Sequence, residues 1–378
     1  MKVATSDRTT KTEHTELHMW REIHRQPEVA ALNLDNEDGL GRAAAWIAEQ
    51  GPKHLHFAGC GDSRFTGKVG RYAMSRWAGM PSAVHQSFDA HSYLLEEISG
   101  GILLAYSNSG ESQSTVACAE AAAIRGVPVL AVTGHEGSRL ARLADHVLVT
   151  TLPEAPVAAS HTTSHTAMIA STLGLAARVA AIRSRETTSI DRALASAPAA
   201  MRDTIEMAGP KAQETAARHR SRDRWVLLGA GPHHATALTG AAKLYETGYV
   251  PAICEALDEY AHEQMFILEP GDPVLVVTSR GLSHRKAVEI ADGVSDLDGD
   301  PVIVSELEPS DLGGHRVLPV APLAEPVEEV AALTHLMPLQ LYALHLALAR
   351  GQDPDRVRYF AVNMRLIGQG KTIQDADL

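Results

Sequence analysis

The chain repeats itself at long range. Four apolar runs of the first half return, in the same order, in the second. "HLHFAGCGDS" from His54 parallels "RWVLLGAGPH" from Arg224, and "GILLAYSNSGES" from Gly101 parallels "PVLVVTSRGLS" from Pro273. "VPVLAVTG" from Val127 parallels "DPVIVSE" from Asp300, and "DHVLVTTLPEAP" from Asp145 parallels "HRVLPVAPLAEP" from His315. The paired runs stand about 170 residues apart, a period that marks duplicated domains rather than a solenoid. Each run is short and rich in Val, Leu or Ile, as a strand buried on both faces requires. Ala-rich segments of helical length lie between them, such as "SQSTVACAEAAAIRG" and "HRKAVEIADGVSDLDG". Strand–helix alternation predicts parallel, doubly wound α/β sheets. The expected fold is two tandem three-layer αβα domains with flavodoxin-like sheets.

The repeat also sets the expected boundaries. Residues 1–40 form a helical segment outside it. Residues 41–182 form the first domain, 183–215 a polar, Ala-rich helical connector, 216–350 the second domain, and 351–378 a tail. With 378 residues and 45% hydrophobic content, the chain can fill two cores. A formal net charge of −12 argues against a nucleic-acid surface, yet still permits a locally positive pocket. Cys60, Cys118 and Cys254 are far apart and odd in number, which disfavours a disulfide framework or a thiolate metal site and fits a reducing compartment. "MKVATSDRTTKTEHTELHMWREIHRQ" has no apolar h-region, and no apolar run is read as approaching a membrane span. The expectation is a cytoplasmic protein with no membrane or nucleic-acid partner.

In open α/β sheets, ligands bind beyond the carboxyl ends of the strands. Two first-half loops lie there, "AGCGDSRFTGK" and "YSNSGESQST". The second clusters Ser107, Asn108, Ser109 and Ser112 around Gly110. A helix follows, so free N–H groups and the dipole favour an anion. The loop is neither a Walker loop nor GxGxxG, and it suits a monophosphate better than a dinucleotide. The same residues also read as an ordinary Ser/Asn N-cap with a tight turn. The matching "TSRGLSHRK" keeps Ser279, Gly281 and Ser283 but lacks the dense hydroxyls. "AAKLYETGYVPAICEALDEYAHEQ" from Ala241 adds Lys243 and Glu246 on one helical face, with His262 further on. Glu246 can serve as a base on a carbon-bound proton, and His262 can handle oxygen protons. A solvated Lys–Glu pair and a surface histidine is the competing reading. "SHTTSH" from Ser160 has no carboxylate or Cys nearby to complete a metal set.

Taken together, these motifs resemble the double-domain sugar isomerase (SIS) family. The likeness is to the isomerase half of glucosamine-6-phosphate synthase and to the fructosamine-6-phosphate deglycases. It covers nearly the whole chain. "MWREIHRQPEVA" resembles that half's opening helix, "AGCGDS" and "YSNSGES" its sugar-phosphate loops, and "ALTGAAKLYETGYVPA" its catalytic helix. "EPVEEVAALTHLMPLQLYALHLALARGQDPDRVRYFAV" resembles its last helix and tail, which closes over the site. The resemblance implies that Cys60, Gly61 and Ser63 line the sugar, and that Ser107, Asn108, Ser109 and Ser112 hold a 6-phosphate. It implies a further sugar contact at Ser160, proton transfer between C1 and C2 by Glu246, and Lys243 as its helix companion. His262 would assist ring opening from a second subunit, giving a homodimer with composite sites. No metal or redox cofactor is required.

Three departures shape the expected chemistry. No glutaminase domain is read, so amide transfer from glutamine is not expected. The family's tail lysine, which forms a Schiff base with the keto-sugar, aligns with Val362, while Lys371 lies off register. The glycine after the family histidine is Glu263. A substrate that already carries an amine needs no enzyme amine, because its own nitrogen can form the imine. The expected substrate is therefore a phosphorylated amino sugar, processed by isomerisation with deamination, or by deglycation. The alternatives are a simple aldose–ketose phosphosugar isomerase and a sugar-phosphate-binding regulatory protein.

Overall fold

A computed structural model describes residues 14–153 and 161–368. The first half runs α1 (His18–Leu34), α2 (Glu37–Gln50), β1 (Leu55–Gly59), α3 (Asp62–Arg76), β2 (Ser82–Gln86), α4 (Ser87–Ser92), α5 (Leu95–Ile98), β3 (Ile102–Tyr106), α6 (Gln113–Ile124), β4 (Val129–Thr133), α7 (Arg139–Leu143), β5 (His146–Val149) and α8 (Thr162–Ile182). The long α9 (Thr188–His219) then leads into β6 (Trp225–Gly229), α10 (Pro232–Lys243), β7 (Ala252–Ala256), β8 (Pro273–Val277), α11 (His284–Asp296), β9 (Asp300–Ser305), β10 (Arg316–Pro319), α12 (Glu328–Ala349) and α13 (Phe360–Leu366).

Both sheets are five-stranded and parallel. Their orders, β2-β1-β3-β4-β5 and β10-β9-β8-β6-β7, are one topology used twice. This is the flavodoxin-like order, with a switch point between the first and third strands of each half. The central strands β1, β3, β4, β6 and β8 are buried along their whole length. The edge strands β2 (SAVHQ) and β7 (AICEA) escape the sequence reading because small and polar residues break up their apolar runs, whereas the opposite edges β5 (HVLV) and β10 (RVLP) keep short ones. They still obey the repeat: Leu55 N–H bonds Pro81 O at 2.9 Å, and Trp225 N–H bonds Pro251 O at 3.0 Å.

Each sheet is covered on its outer face by its own cluster, with α6 over the first and α11 over the second. One continuous apolar core fills the space between the sheets, drawing on α1, α3, α8, α9, α10 and α12. The stripe Ala193, Ala197, Met201, Ile205, Ala208, Ala212 and Ala216 packs α9 against α12 and α1, despite Pro198 and Pro210 inside it. Small residues there let helix axes approach closely.

Helices α8 and α12 correct one expectation. Both are long and apolar enough to cross a membrane, although no run was read as approaching that length. Their apolar windows are 83% and 100% buried inside the protein, so here they serve as core helices. Uniform burial removes the polar face that breaks up an apolar run in a surface helix.

Polar residues on α1 lock this layer together. Helix α8 starts at His161, which offers no side-chain cap, so its first N–H groups need partners. The buried Glu22 supplies them, accepting from Thr162 N–H and Oγ1 at 2.8 Å each and from Thr163 N–H at 3.3 Å. One turn on, Gln26 accepts from Thr166 Oγ1 and donates to Gln340 Oε1, both at 2.5 Å.

Candidate functional site

The loop after β1 turns at Gly61, whose φ of +54° and ψ of −130° suit glycine alone among common residues. The turn sets Asp62 at the first position of α3. Across the interface, α10 ends at Lys243 and continues as one π-helical turn, Leu244–Gly248, which carries Glu246. Such turns widen a helix locally and recur at functional sites. Helices α3 and α10 pack together, and this joins three charges. Lys243 Nζ donates to Asp62 Oδ2 at 3.1 Å and to Glu246 Oε2 at 2.9 Å.

Burial separates the three groups. The Lys243 side chain is 1% exposed, Asp62 21% and Glu246 34%. Burial works to lower Lys243, but the carboxylates of Asp62 and Glu246 outweigh it and hold the ammonium above its usual range. Burial works to raise Asp62, yet Lys243 and the nearby histidines keep it below the usual carboxylate range. Glu246 goes the other way. Burial and the charge of Asp62 outweigh Lys243 and push it up to about 7. One carboxylate is thus fixed as an anion, while the other is poised to exchange a proton near neutrality.

His165 braces the arrangement. It is fully buried on α8, with Nδ1 3.3 Å from Thr66 Oγ1 on α3 and Nε2 3.0 Å from Thr239 Oγ1 on α10. Burial lowers it, so it stays neutral between the two helices. Ser63 donates to Met168 Sδ at 3.7 Å, and Gln86 Nε2 donates to Cys60 Sγ at 3.6 Å.

Strand β3 lies beside β1, so the hydroxyl loop opens on the same end of the sheet. Gly110, at φ +65°, folds it so that Gly110 N–H reaches Ser107 O at 3.0 Å and Ser107 Oγ at 3.1 Å. Ser109 Oγ accepts from Glu111 N–H at 3.2 Å. Ser112 is the N-cap of α6, yet its hydroxyl does not cap that helix. Asn108 Oδ1 is buried without a hydrogen-bond partner. The tail arrives from the other half. Arg358 stacks on the Tyr249 ring at 3.8 Å, just past the π turn, and Ile367 O accepts from Gln113 N–H of α6 at 3.2 Å. It therefore spans from the Glu246 turn to the hydroxyl loop. Val362, on α13, is 47% exposed.

The fold brings Lys243 and Glu246 into direct contact, on the same sheet-end side as Cys60, Gly61, Ser63 and the loop Ser107, Asn108, Ser109 and Ser112. His262 is exposed in the segment after β7 and makes no described contact with Lys243 or Glu246 in its own chain. Ser160 and Lys371 lie outside the described residues. Sequence reasoning missed Asp62. An acid at the first position of a helix reads as a partner for the dipole, and nothing local announces a lysine 181 residues away.

Comparison with known proteins agrees with this architecture. The family model for the SIS domain matches residues 50–178 and again 220–350. The isomerizing glutamine–fructose-6-phosphate aminotransferase of Pyrococcus horikoshii is 29% identical over 349 residues, which cover 91% of this chain and 56% of that protein. The chain thus spans little more than half the length of the curated relatives it matches. Among solved structures, the C-terminal domain of glucosamine-fructose-6-phosphate aminotransferase from Francisella tularensis superposes with a TM-score of 0.76 at 18% identity, covering 90% of this chain and 98% of that one. Tagatose-6-phosphate ketose/aldose isomerase from Escherichia coli does so with a TM-score of 0.73 at 20% identity, covering 90% and 95%. With its model matched twice over most of the length, and once on each sheet, the chain belongs to the SIS domain family.

Proposed function

We propose that the protein is an enzyme acting on a phosphorylated amino sugar, which it isomerises with loss of the amine. The observation that carries this reading is the charge count at the site. Two carboxylates, Asp62 and Glu246, share the single ammonium of Lys243. With Glu246 ionised, the cluster holds one surplus negative charge, which a substrate ammonium neutralises and a neutral aldose or ketose does not. The hydroxyl loop and the N-terminus of α6 hold the phosphate.

In this mechanism Glu246 removes the proton from the amine-bearing carbon and returns it to the neighbouring carbonyl carbon, while the carbonyl oxygen takes up the proton that the nitrogen gives up, so that C–N becomes C=N and C=O becomes a hydroxyl. The substrate's own nitrogen carries the imine. Water adds to the imine carbon, the C–N bond breaks, and the amine leaves with the proton the water gave up. Asp62 keeps Lys243 charged and in place throughout. The absence of a lysine at Val362 supports a nitrogen supplied by the substrate. His262, exposed after β7, would complete the site of a second copy, as the likeness to the family implies. The three free cysteines, Cys60 and Cys254 half-buried and Cys118 buried, suit a reducing, cytoplasmic setting.

The test is to incubate the protein with a panel of phosphorylated amino sugars and phosphorylated sugar–amine conjugates, and to assay ammonia or free amine alongside the sugar product. Amine release from at least one member, lost in Glu246→Gln, is expected. Tight binding without product from any member would instead mark a sugar-phosphate-binding regulator. Interconversion of unaminated aldose and ketose phosphates alone would mark a simple isomerase. For the composite site, mixing Glu246→Gln with His262→Ala protein should restore part of the activity that each lacks. No restoration after subunit exchange would place His262 outside the site.

A further inference from the structure

The second half has its own cavity at the ligand end of its sheet, about 150 Å³, lined in part by Ser279, Arg280, Glu306, Thr334 and His335. It lies where the repeat places the counterpart of the sugar-phosphate site: beside the loop after β8, under the segment between β10 and α12. Its own loop cannot take a phosphate. The hydroxyls of Thr278 and Ser283 bond each other at 3.1 Å, Arg280 N–H is taken by Glu306 Oε1 at 2.7 Å, and Leu282 N–H by Glu328 Oε1 at 3.2 Å. Protein carboxylates occupy the donors that an anion would need.

What remains around the cavity is chemically specific. Glu306 is ionised: burial opposes this, but His335 and the Arg280 N–H hold it down to about 2. Its buried Oε2 has one long ion-pair contact, to His335 Nε2 at 3.3 Å, whose N–H is aligned instead on Thr278 O at 3.1 Å. Ser279 Oγ is fixed 2.8 Å from Nε2 of the fully buried His233. Arg280 is exposed at the mouth. The opposite wall is apolar, formed by Ala321, Pro322, Leu323, Pro326, Val327 and Ala331. A buried carboxylate oxygen held only by one long ion pair can accept a better-aligned donor, and an exposed arginine lining the mouth can meet an oxyanion.

We infer that this cavity is a second ligand site, distinct from the Glu246 site, that takes a zwitterion the size of a small apolar amino acid. The ammonium meets Glu306, the carboxylate meets Arg280, and the side chain lies against the proline-rich wall. This inference does not rest on the amino-sugar reading.

The test is calorimetric titration of the full chain with valine and leucine, with isoamylamine and 4-methylvalerate as single-charge analogues, and with inorganic phosphate. An amino acid should bind at least about tenfold more tightly than either analogue, because each charged hydrogen bond contributes on that order. Arg280→Ala and Glu306→Gln should each weaken it by about the same factor, while Glu246→Gln leaves it unchanged. Arg280 is exposed, so its variant keeps the test valid even if Glu306→Gln fails to fold. Phosphate binding here, equal affinity for the single-charge analogues, indifference to Arg280→Ala, or no binding of any amino acid would each overturn the inference.

Discussion

The two halves share one backbone and hold opposite chemistry. Each has a parallel sheet of the same order, a glycine of positive φ before its first inner helix (Gly61 and Gly231), and a loop after its third strand. In the first half that loop is hydroxyl-rich, and Glu246, on the π turn that follows α10, shares Lys243 with Asp62 of the adjoining turn. In the second half the equivalent loop is closed by internal bonds to Glu306 and Glu328. The position on α3 that matches Glu246 is Arg76, which pairs with Glu328 at 3.1 Å and Glu329 at 2.9 Å. Duplication kept the geometry that positions a ligand. A few side chains then decided that N–H groups of the second loop are taken by the protein's own carboxylates, Glu306 and Glu328.

Substitutions at matched positions can break this comparison. The largest effect is expected at Glu246→Gln, which should lower turnover by about 10²–10⁴-fold with sugar-phosphate affinity nearly intact. Arg76→Gln, its counterpart, should leave the rate within a few-fold. Equal losses in both, measured as kcat on a substrate found by the panel, would erase the asymmetry.

Removal of the cations comes next. Lys243→Met strands two carboxylates against a buried position, and should destabilise the fold by about 3–5 kcal/mol. Arg76→Met takes a half-exposed guanidinium from the buried Glu328 and Glu329, which keep Leu282 N–H and Trp77 Nε1–H as partners, and a smaller loss of about 1–3 kcal/mol is expected. Denaturant unfolding of the two variants measures the difference.

The loops should differ more modestly. Ser107→Ala with Ser112→Ala should weaken phosphosugar binding by about tenfold, as expected for losing one or two hydrogen bonds to a charged group. Ser279→Ala should leave that binding unchanged.

The smallest effect is a shift in pH dependence. Glu246 is raised to about 7 by burial and by Asp62, so its base form is gained as pH rises through 7, and kcat/KM should fall below that point. Asp62→Asn removes a like charge and leaves Lys243 to Glu246 alone. The acid limb should therefore move to lower pH. A limb that stays in place would show that Asp62 does not tune Glu246, and direct carboxyl titration by NMR reads the same shift without any substrate.

The repeat and the strand runs were legible along the chain, because buried parallel strands leave local signatures. Two tandem parallel sheets followed from that pattern, and Lys243 and Glu246 were visible as neighbours on a helix. The edge strands β2 and β7 were not, since small and polar residues interrupt SAVHQ and AICEA and leave no apolar run. Only the tertiary structure decided that Asp62 joins Lys243 across 181 residues, that Glu246 stands in a π turn, and that the second loop is filled by Glu306 and Glu328. Each depends on the packing of one half against the other, or of a distant helix on a loop. Burial and charge pairing between residues far apart in the sequence, which set the proton affinity of Glu246, have no counterpart in local sequence.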